Sequence, residues 1–344
     1  RTGCTPSRPC WSRRWPADVR IVAALGGNAL LRRGEKPDAS VQAANIARAV
    51  VALAPLALEH ELVLTHGNGP QVGVLALQSA SDPQLTTPYP FDVLGAQTQG
   101  MIGYWLLQAL QNTLPGRQVA AIINQTLVSA ADPAFENPTK FIGEVYEEER
   151  AKALAAERDW TVKQDGSGWR RVVGSPRPQR VVETRLIRLL LGSGAVVVCA
   201  GGGGVPVIRD ETGRLSGVEA VVDKDLTTSV LAEALDADVL MILTDVPHVL
   251  RGFGTPEEEP VLRATPATLH SEEFAAGSMG PKVDAACRFV EVTGDMAAIG
   301  RVEDAVEILA GRAGTIITPR GKYGGPDDLS PRHGPHPKRR RTDS

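Results

Sequence analysis

Three layers, with an open and mostly parallel β-sheet between two sets of helices, is the α/β architecture the sequence predicts, and three observations predict it. Apolar strand-like runs alternate with helical patterns along the chain. One run, AVVVCA at 195–200, is apolar throughout, as suits a parallel strand covered on both faces. Three runs end on glycine, at Gly26-Gly27, Gly67-Asn68-Gly69 and Gly201–Gly204.

The elements follow in order. A strand over 20–25 leads into the first glycine turn. The spacing of apolar residues over 40–58 predicts a helix, with Ser40 as its cap. ELVLTH at 61–66 reads as a second strand, 93–111 as a helix, and 118–130 as a third strand region. Residues 132–180 differ in character, with prolines, charges, Trp160, Trp169 and a DGSG turn, and read as a small protruding flap subdomain. Leu226, Val230, Leu231, Ala234 and Leu235 share one face of a helix over 223–235. A strand over 239–246 follows, and 297–319 reads strand, helix, strand. One domain therefore spans 20–319, between an irregular extension at 1–19 and a disordered basic tail at 320–344.

Charge is unevenly spread. The net charge is −3, yet each end carries +4, so residues 21–319 carry −11. An acidic body and 4% aromatics argue against a nucleic-acid surface there. The tail run KRRR at 338–341 is either a basic address or a solvated, disordered end. The first 20 residues lack the apolar core of a signal peptide, and no apolar run reaches the roughly 18 residues of a membrane span. The four cysteines, Cys4, Cys10, Cys199 and Cys287, form no CxxC pair, so free thiols in a reducing, cytoplasmic setting are expected.

The chemistry rests on glycines and lysines. Glycine at the carboxyl end of a parallel strand lets backbone N–H groups approach an anion. Each turn alone can be a plain tight turn; three in one chain favour a phosphate site. GNGPQVG at 67–73 is one residue too long for a dinucleotide fingerprint, and no GxxxxGKS/T loop occurs. Lys140 in NPTKFIG, Lys224 in DKD and Lys282 in GSMGPKV each stand among backbone-shaping residues. Each is either a solvated charge or part of a cationic set suited to phosphoryl transfer. Asp223 and Asp225 read equally as caps of a helix start, or as a pair in which Asp225 holds two lysines while Asp223 meets a metal–nucleotide. His66 reads as a loop-shaping residue. No metal-ligand cluster stands out, so Mg²⁺ is expected to arrive with nucleotide phosphates.

Eight blocks in order, ALGGNALL, THGNGPQVG, DPAFENPTKFIG, RRVVGSPRP, CAGGGGVPV, GVEAVVDKDLTTSVLAEALDAD, LTDVPHV and GSMGPKVDAACRF, together resemble the carbamate kinases of the amino-acid-kinase fold. The resemblance runs from about residue 20 to 319. It implies a cytoplasmic homodimer that uses MgATP or MgADP in the reaction ATP + carbamate ⇌ ADP + carbamoyl phosphate, as part of arginine or purine catabolism. It implies an acceptor site in the N-terminal half under the flap, and a nucleotide site in the C-terminal half. By the same resemblance, Gly26 and Gly27 offer N–H groups to the phosphoryl group, Asn28 joins that loop, and Gly67, Asn68 and Gly69 hold the acceptor. Lys140, Lys224 and Lys282 act on the phosphates, with Asp225 organising them. Gly202, Gly203, Asp223, Thr244, Asp245 and Val246 line the nucleotide, and Met279 packs on adenine. Related kinases of larger acids carry lysine where Ala24 stands, and Lys140 is the implied replacement. Two prolines usual in the family's flap are here Phe141 and Glu144. The alternatives are a kinase of the same fold acting on another small acid or phosphate, and a non-catalytic nucleotide-binding regulator.

Overall fold

The computed structural model describes residues 19–322, apart from 33, 159 and 275–277 and the side chains of Asn28 and Glu144. Cys4, Cys10, the KRRR run and most of both extensions lie outside the described residues.

The chain opens with β1 (Arg20–Leu25), a 3-10 turn (Gly27–Ala29), α1 (Ala39–Glu59) and β2 (Glu61–His66). Helices α2 (Gly69–Ser81) and α3 (Phe91–Thr113) lead to β3 (Val119–Ala121) and β4 (Gln125–Leu127). Within the 132–180 region lie β5 (Lys140–Tyr146), α4 (Glu148–Arg158), β6 (Thr161–Asp165) and β7 (Gly168–Val173). Next come β8 (Arg180–Val181), α5 (Thr184–Gly192), β9 (Val196–Val198), β10 (Val205–Arg209) and β11 (Leu215–Gly217). The rest comprises α6 (Lys224–Ala234), β12 (Val239–Thr244), β13 (Val249–Arg251), β14 (Glu259–Val261), β15 (Arg263–Ala264), α7 (Pro266–His270), α8 (Gly280–Thr293), β16 (Met296–Arg301), α9 (Ala305–Leu309) and β17 (Thr315–Ile317).

Eight strands form the central sheet in the order β15-β17-β16-β12-β1-β2-β9-β3. All neighbours pair in parallel except β16 with β17. Successive side chains of a strand point to opposite faces, and both faces are covered. Met241 and Leu243 of β12 join the core formed with Ile46, Val50 and Leu53 of α1 and Ile102 of α3. Leu240 and Ile242 join the opposite core, with Ile187 of α5, Leu231 of α6 and Phe289 of α8. This burial on two sides is why the strands read as unbroken apolar runs. By length and hydropathy α1 could cross a membrane, but half of its most apolar stretch is buried and Ile46, Val50 and Leu53 pack on the sheet.

Three local expectations change. Helix α1 begins one residue earlier than its expected cap, with Asp38 rather than Ser40 at the N-cap position. The second glycine turn is also a helix start: Gly69-Pro70 opens α2, because proline at the first turn needs no N–H partner. The strand region over 118–130 splits, with β3 in the central sheet and β4 in a second sheet of order β11-β10-β4-β8. At the break, the Asn124 backbone bonds the Gln99 side chain in both directions at 3.1 Å, and its carbonyl also accepts from the Val205 N–H of β10 at 2.9 Å.

The flap strands form an antiparallel sheet of order β5-β7-β6. Its β6–β7 turn is Gly166-Ser167, with Gly166 at φ +63°, the two-residue hairpin loop that a positive φ permits. An apolar cluster of Val72, Phe91, Leu94, Ile142 and Val173 seats the flap on α2 and α3. Arg171 stacks on Phe91 and Trp160 and bonds Glu219 at 3.2 Å, while Glu219 also accepts from the Phe91 N–H at 2.8 Å.

The seat requires two bare backbones to touch. A Cβ on Gly73 would stand 2.9 Å from the Gly143 Cα, backbone against backbone, where no side-chain rotation relieves the clash. We predict that Gly73→Ala lifts the flap from α2 and destabilises the protein by about 1–3 kcal/mol, the usual cost of overpacking. Limited proteolysis should cut residues 140–173 faster in the variant; equal rates would refute this account of the seat.

Candidate active site

The carboxyl ends of β1, β2, β9 and β12 lie side by side, so the three glycine turns and Thr244 collect along one edge of the sheet. In open α/β sheets this edge is where ligands bind. The glycines there do two different things. The Gly26 N–H is already given to the Leu243 carbonyl at 2.8 Å, so it is not free for a phosphoryl group. A Cβ on Gly26 would meet that same carbonyl oxygen at 3.0 Å, and one on Gly67 would meet the Gly27 nitrogen at 3.3 Å. Gly26 and Gly67 thus let neighbouring strand ends close up. At Gly27 and Gly69, by contrast, nothing lies within 4 Å of where a Cβ would stand. Those two leave open space beside backbone at a 3-10 turn and at the first turn of α2.

Gly202 and Gly203, expected beside the nucleotide, are buried with left-handed backbones at φ +62° and +89°. The Asn68 amide fills the space a Gly202 side chain would need, and the Val222 carbonyl lies 2.5 Å from a Gly203 Cβ. The Gly203 carbonyl accepts from the Thr126 and Thr227 hydroxyls at 2.7 and 3.1 Å. This turn is close-packed protein. Asn68 itself is buried and donates to the Thr98 hydroxyl at 2.9 Å, so its side chain points inward from the turn where it is expected to hold the acceptor.

Helix α6 starts on the same edge. Its N-cap is Asp223, whose Oδ1 accepts from the N–H groups of Asp225 and Leu226 at 2.9 and 3.2 Å. The other oxygen, Oδ2, accepts from Lys140 Nζ at 2.7 Å, across from the first residue of β5. Asp225, two residues on and still in the first turn, is no cap. Its Oδ1 accepts from Lys224 Nζ at 2.7 Å and its Oδ2 from Lys282 Nζ at 3.0 Å. Lys282 comes from the first turn of α8, opened by Gly280-Pro281. Residues 140, 223, 224, 225 and 282 therefore meet although they come from three elements.

Burial is what makes this cluster unusual. The Asp225 side chain is only 5% exposed, and those of Lys224 and Lys282 are 11% and 18% exposed. Burial pushes the Asp225 carboxyl up, but two ammonium groups outweigh it and hold the carboxyl well below its ordinary range. Burial lowers the Lys224 ammonium, and Lys282 lowers it further, against the pull of Asp225 and Asp223. One carboxylate facing two ammonium groups leaves a surplus positive charge at low dielectric, an arrangement suited to a phosphate.

The remaining expected residues sit around this centre. Thr244 adjoins Gly26 and donates to Asp245 at 3.1 Å. Val246 continues that loop, half-buried. Met279 precedes α8 and packs partly against the second core. The Asn28 side chain lies outside the described residues. Residues the sequence reading passed over are the supports. Thr228 donates to the Lys224 carbonyl at 2.7 Å and so accepts from Thr65 at 2.7 Å, tying the end of β2 to α6. Glu219 and Arg171 are 48 positions apart and carried no local signal.

Residues 19–299 match the amino acid kinase family. The chain is similar to carbamate kinases from Rhizobium meliloti (52% identity, 87% of this chain and 93% of that one) and Escherichia coli K12 (49%, 87% and 99%). A solved carbamate kinase of Giardia lamblia bound to AMP-PNP superposes with a TM-score of 0.81 at 40% identity, covering 88% of this chain and 99% of that one.

His66 is buried at the end of β2 against Gly201, with Nδ1 donating to the Gly67 carbonyl at 2.9 Å. Burial lowers its pKa from 6.5 to about 4; the Gly67 carbonyl opposes this and Lys224 adds to it. Between those values the unfolded chain binds a proton that the folded chain refuses. Stability present above pH 6.5 is therefore lost as pH falls toward about 4, by about 3 kcal/mol for this group. Urea midpoints should fall from pH 7 to pH 5, and less steeply in His66→Gln. Equal slopes would show that His66 is not the cause.

Proposed function

The chain belongs to the amino acid kinase family and, within it, to the carbamate kinases, and from that premise we propose how its residues divide the work. The enzyme transfers a phosphoryl group reversibly between ATP and carbamate, giving ADP and carbamoyl phosphate, with Mg²⁺. The observation that carries the residue assignment is the convergence of Lys140, Lys224 and Lys282 on two carboxylates at the open sheet edge.

The charge and the open backbone at Gly27 and Gly69 fit a nucleotide polyphosphate. These residues would hold Mg²⁺ only through the nucleotide phosphates, where it would supply charge neutralisation. In the ATP-consuming direction a carbamate oxygen attacks the γ-phosphorus, the bond to the bridging oxygen breaks, and ADP leaves. Carbamate is already an anion, so no general base is needed, and neutral His66 is not asked to be one. Lys224 and Lys282 stabilise charge on the moving phosphoryl group, and Asp225 holds both. Lys140 supplies the charge that Ala24, buried within β1, cannot. Gly67 and Gly69 border the acceptor, and Thr244, Asp245, Val246 and Met279 border the nucleoside. Carbamate offers little surface for binding, so the seated flap contributes the positioning.

Carbamoyl phosphate is a mixed anhydride, which favours ATP formation, in arginine or purine breakdown within the cytoplasm. A homodimer belongs to the same proposal. Strand β3 is an edge of the central sheet, with Ile123 and, on α3, Tyr104 exposed, and these support a second copy covering that edge.

Purified protein given MgADP should make ATP from carbamoyl phosphate and not from acetyl phosphate. ATP from neither substrate would overturn the reading. Lys140→Ala should lower turnover by about 10²-fold while MgADP binding, followed by calorimetry, stays close to wild type. Unchanged turnover would remove Lys140 from the mechanism.

A further inference from the structure

We propose that Asp223 is the positioning residue for the flap lysine: it holds the Lys140 ammonium at the start of α6, beside the Lys224–Asp225–Lys282 cluster. This rests on the reading that Lys140 acts on the transferred phosphoryl group.

The two oxygens of Asp223 are divided between two tasks. Oδ1 takes the N–H groups of Asp225 and Leu226, which fixes the carboxylate plane to the helix. Oδ2 takes Lys140 Nζ at 2.7 Å. The backbone under Asp223 is held as firmly. Its carbonyl accepts from the N–H of Thr227 at 3.0 Å, and the preceding Val222 carbonyl is packed against Gly203. The lysine has no comparable restraint of its own. Its backbone is fixed by pairing with Val173 in the flap sheet, but the side chain is 36% exposed and ends a long flexible stem. Such a stem loses considerable rotamer freedom when held in one geometry. The flap's apolar seat fixes where β5 lies, and Asp223 fixes where the charge at its first residue goes. This role is distinct from the metal–nucleotide contact that the sequence suggests for Asp223.

The test uses Asp223→Asn, because asparagine caps a helix about as well as aspartate while removing the charge that Lys140 meets. Kinetics are measured for wild type, Asp223→Asn, Lys140→Ala and the double variant. MgADP affinity and melting temperature are followed in each. The expected result for Asp223→Asn is a loss of about tenfold in kcat/KM for carbamoyl phosphate, since misplacing a catalytic group by about 1 Å costs up to 10²-fold. MgADP affinity should change less than about twofold. The double variant should be no worse than Lys140→Ala, because a residue that acts only through Lys140 has nothing to position once it is gone. Wild-type kinetics in Asp223→Asn would reduce Asp223 to a cap. Losses that multiply in the double variant, or a marked fall in MgADP affinity, would move Asp223 to the nucleotide, and either result overturns the proposal. Should Asp223→Asn melt lower than wild type, Asp223→Ser, which also caps, is measured with the same readouts. If Lys140→Ala itself keeps full turnover, it is the role of Lys140 that fails, and that result is visible without Asp223.

Discussion

One buried carboxylate organises the site. Asp225 sits with an ammonium on each oxygen, one from its own helix and one from α8. Removing a charged partner from such a group is costly because the others are left desolvated and unpaired. The direction of both lysines follows from it, while Leu231 of α6 and Phe289 of α8 share one apolar core. The surplus positive charge is what the proposed role of the lysines, meeting a substrate anion, makes use of.

The glycines are the second constraint, and their effect is divided. Gly26 and Gly67 draw the ends of β1, β2 and β12 together, and Gly201–Gly204 pack against His66, Asn68, Val222 and Thr126. A side chain at any of these would have to displace the neighbour it meets. Gly27 and Gly69 face open space instead, so the close packing of the first group is what delivers the exposed backbone of the second to one edge. The flap joins this edge at two points of different kind. An apolar seat on α2 carries the subdomain, and an ion pair between Lys140 and Asp223 carries its charge to the centre.

Much of this was legible in the residues. Unbroken apolar strands announced a sheet covered on both faces, and β1, β2, β9 and β12 lie where the pattern puts them. The three lysines stood out by their neighbours. Less legible were breaks imposed from afar. The split between β3 and β4 depends on Gln99 bonding the Asn124 backbone, and the flap seat depends on Gly73 meeting Gly143. Neither has a signature within its own stretch of chain, because each is a contact between segments distant in sequence.

What the sequence determined by itself is local and periodic: the strand and helix pattern, the glycines at strand ends, the lysines beside them, and a resemblance strong enough to imply the reaction. What only the tertiary structure decided is how each of those residues is used. It separated glycines that pack from glycines that lie open, made Asp225 a bridge and Asp223 a cap joined to the flap, and spent the Gly26 N–H on a neighbouring strand. The physical reason is that hydrogen-bond and charge partners are chosen by proximity in space. Chain order sets which groups exist, and packing sets which of them meet.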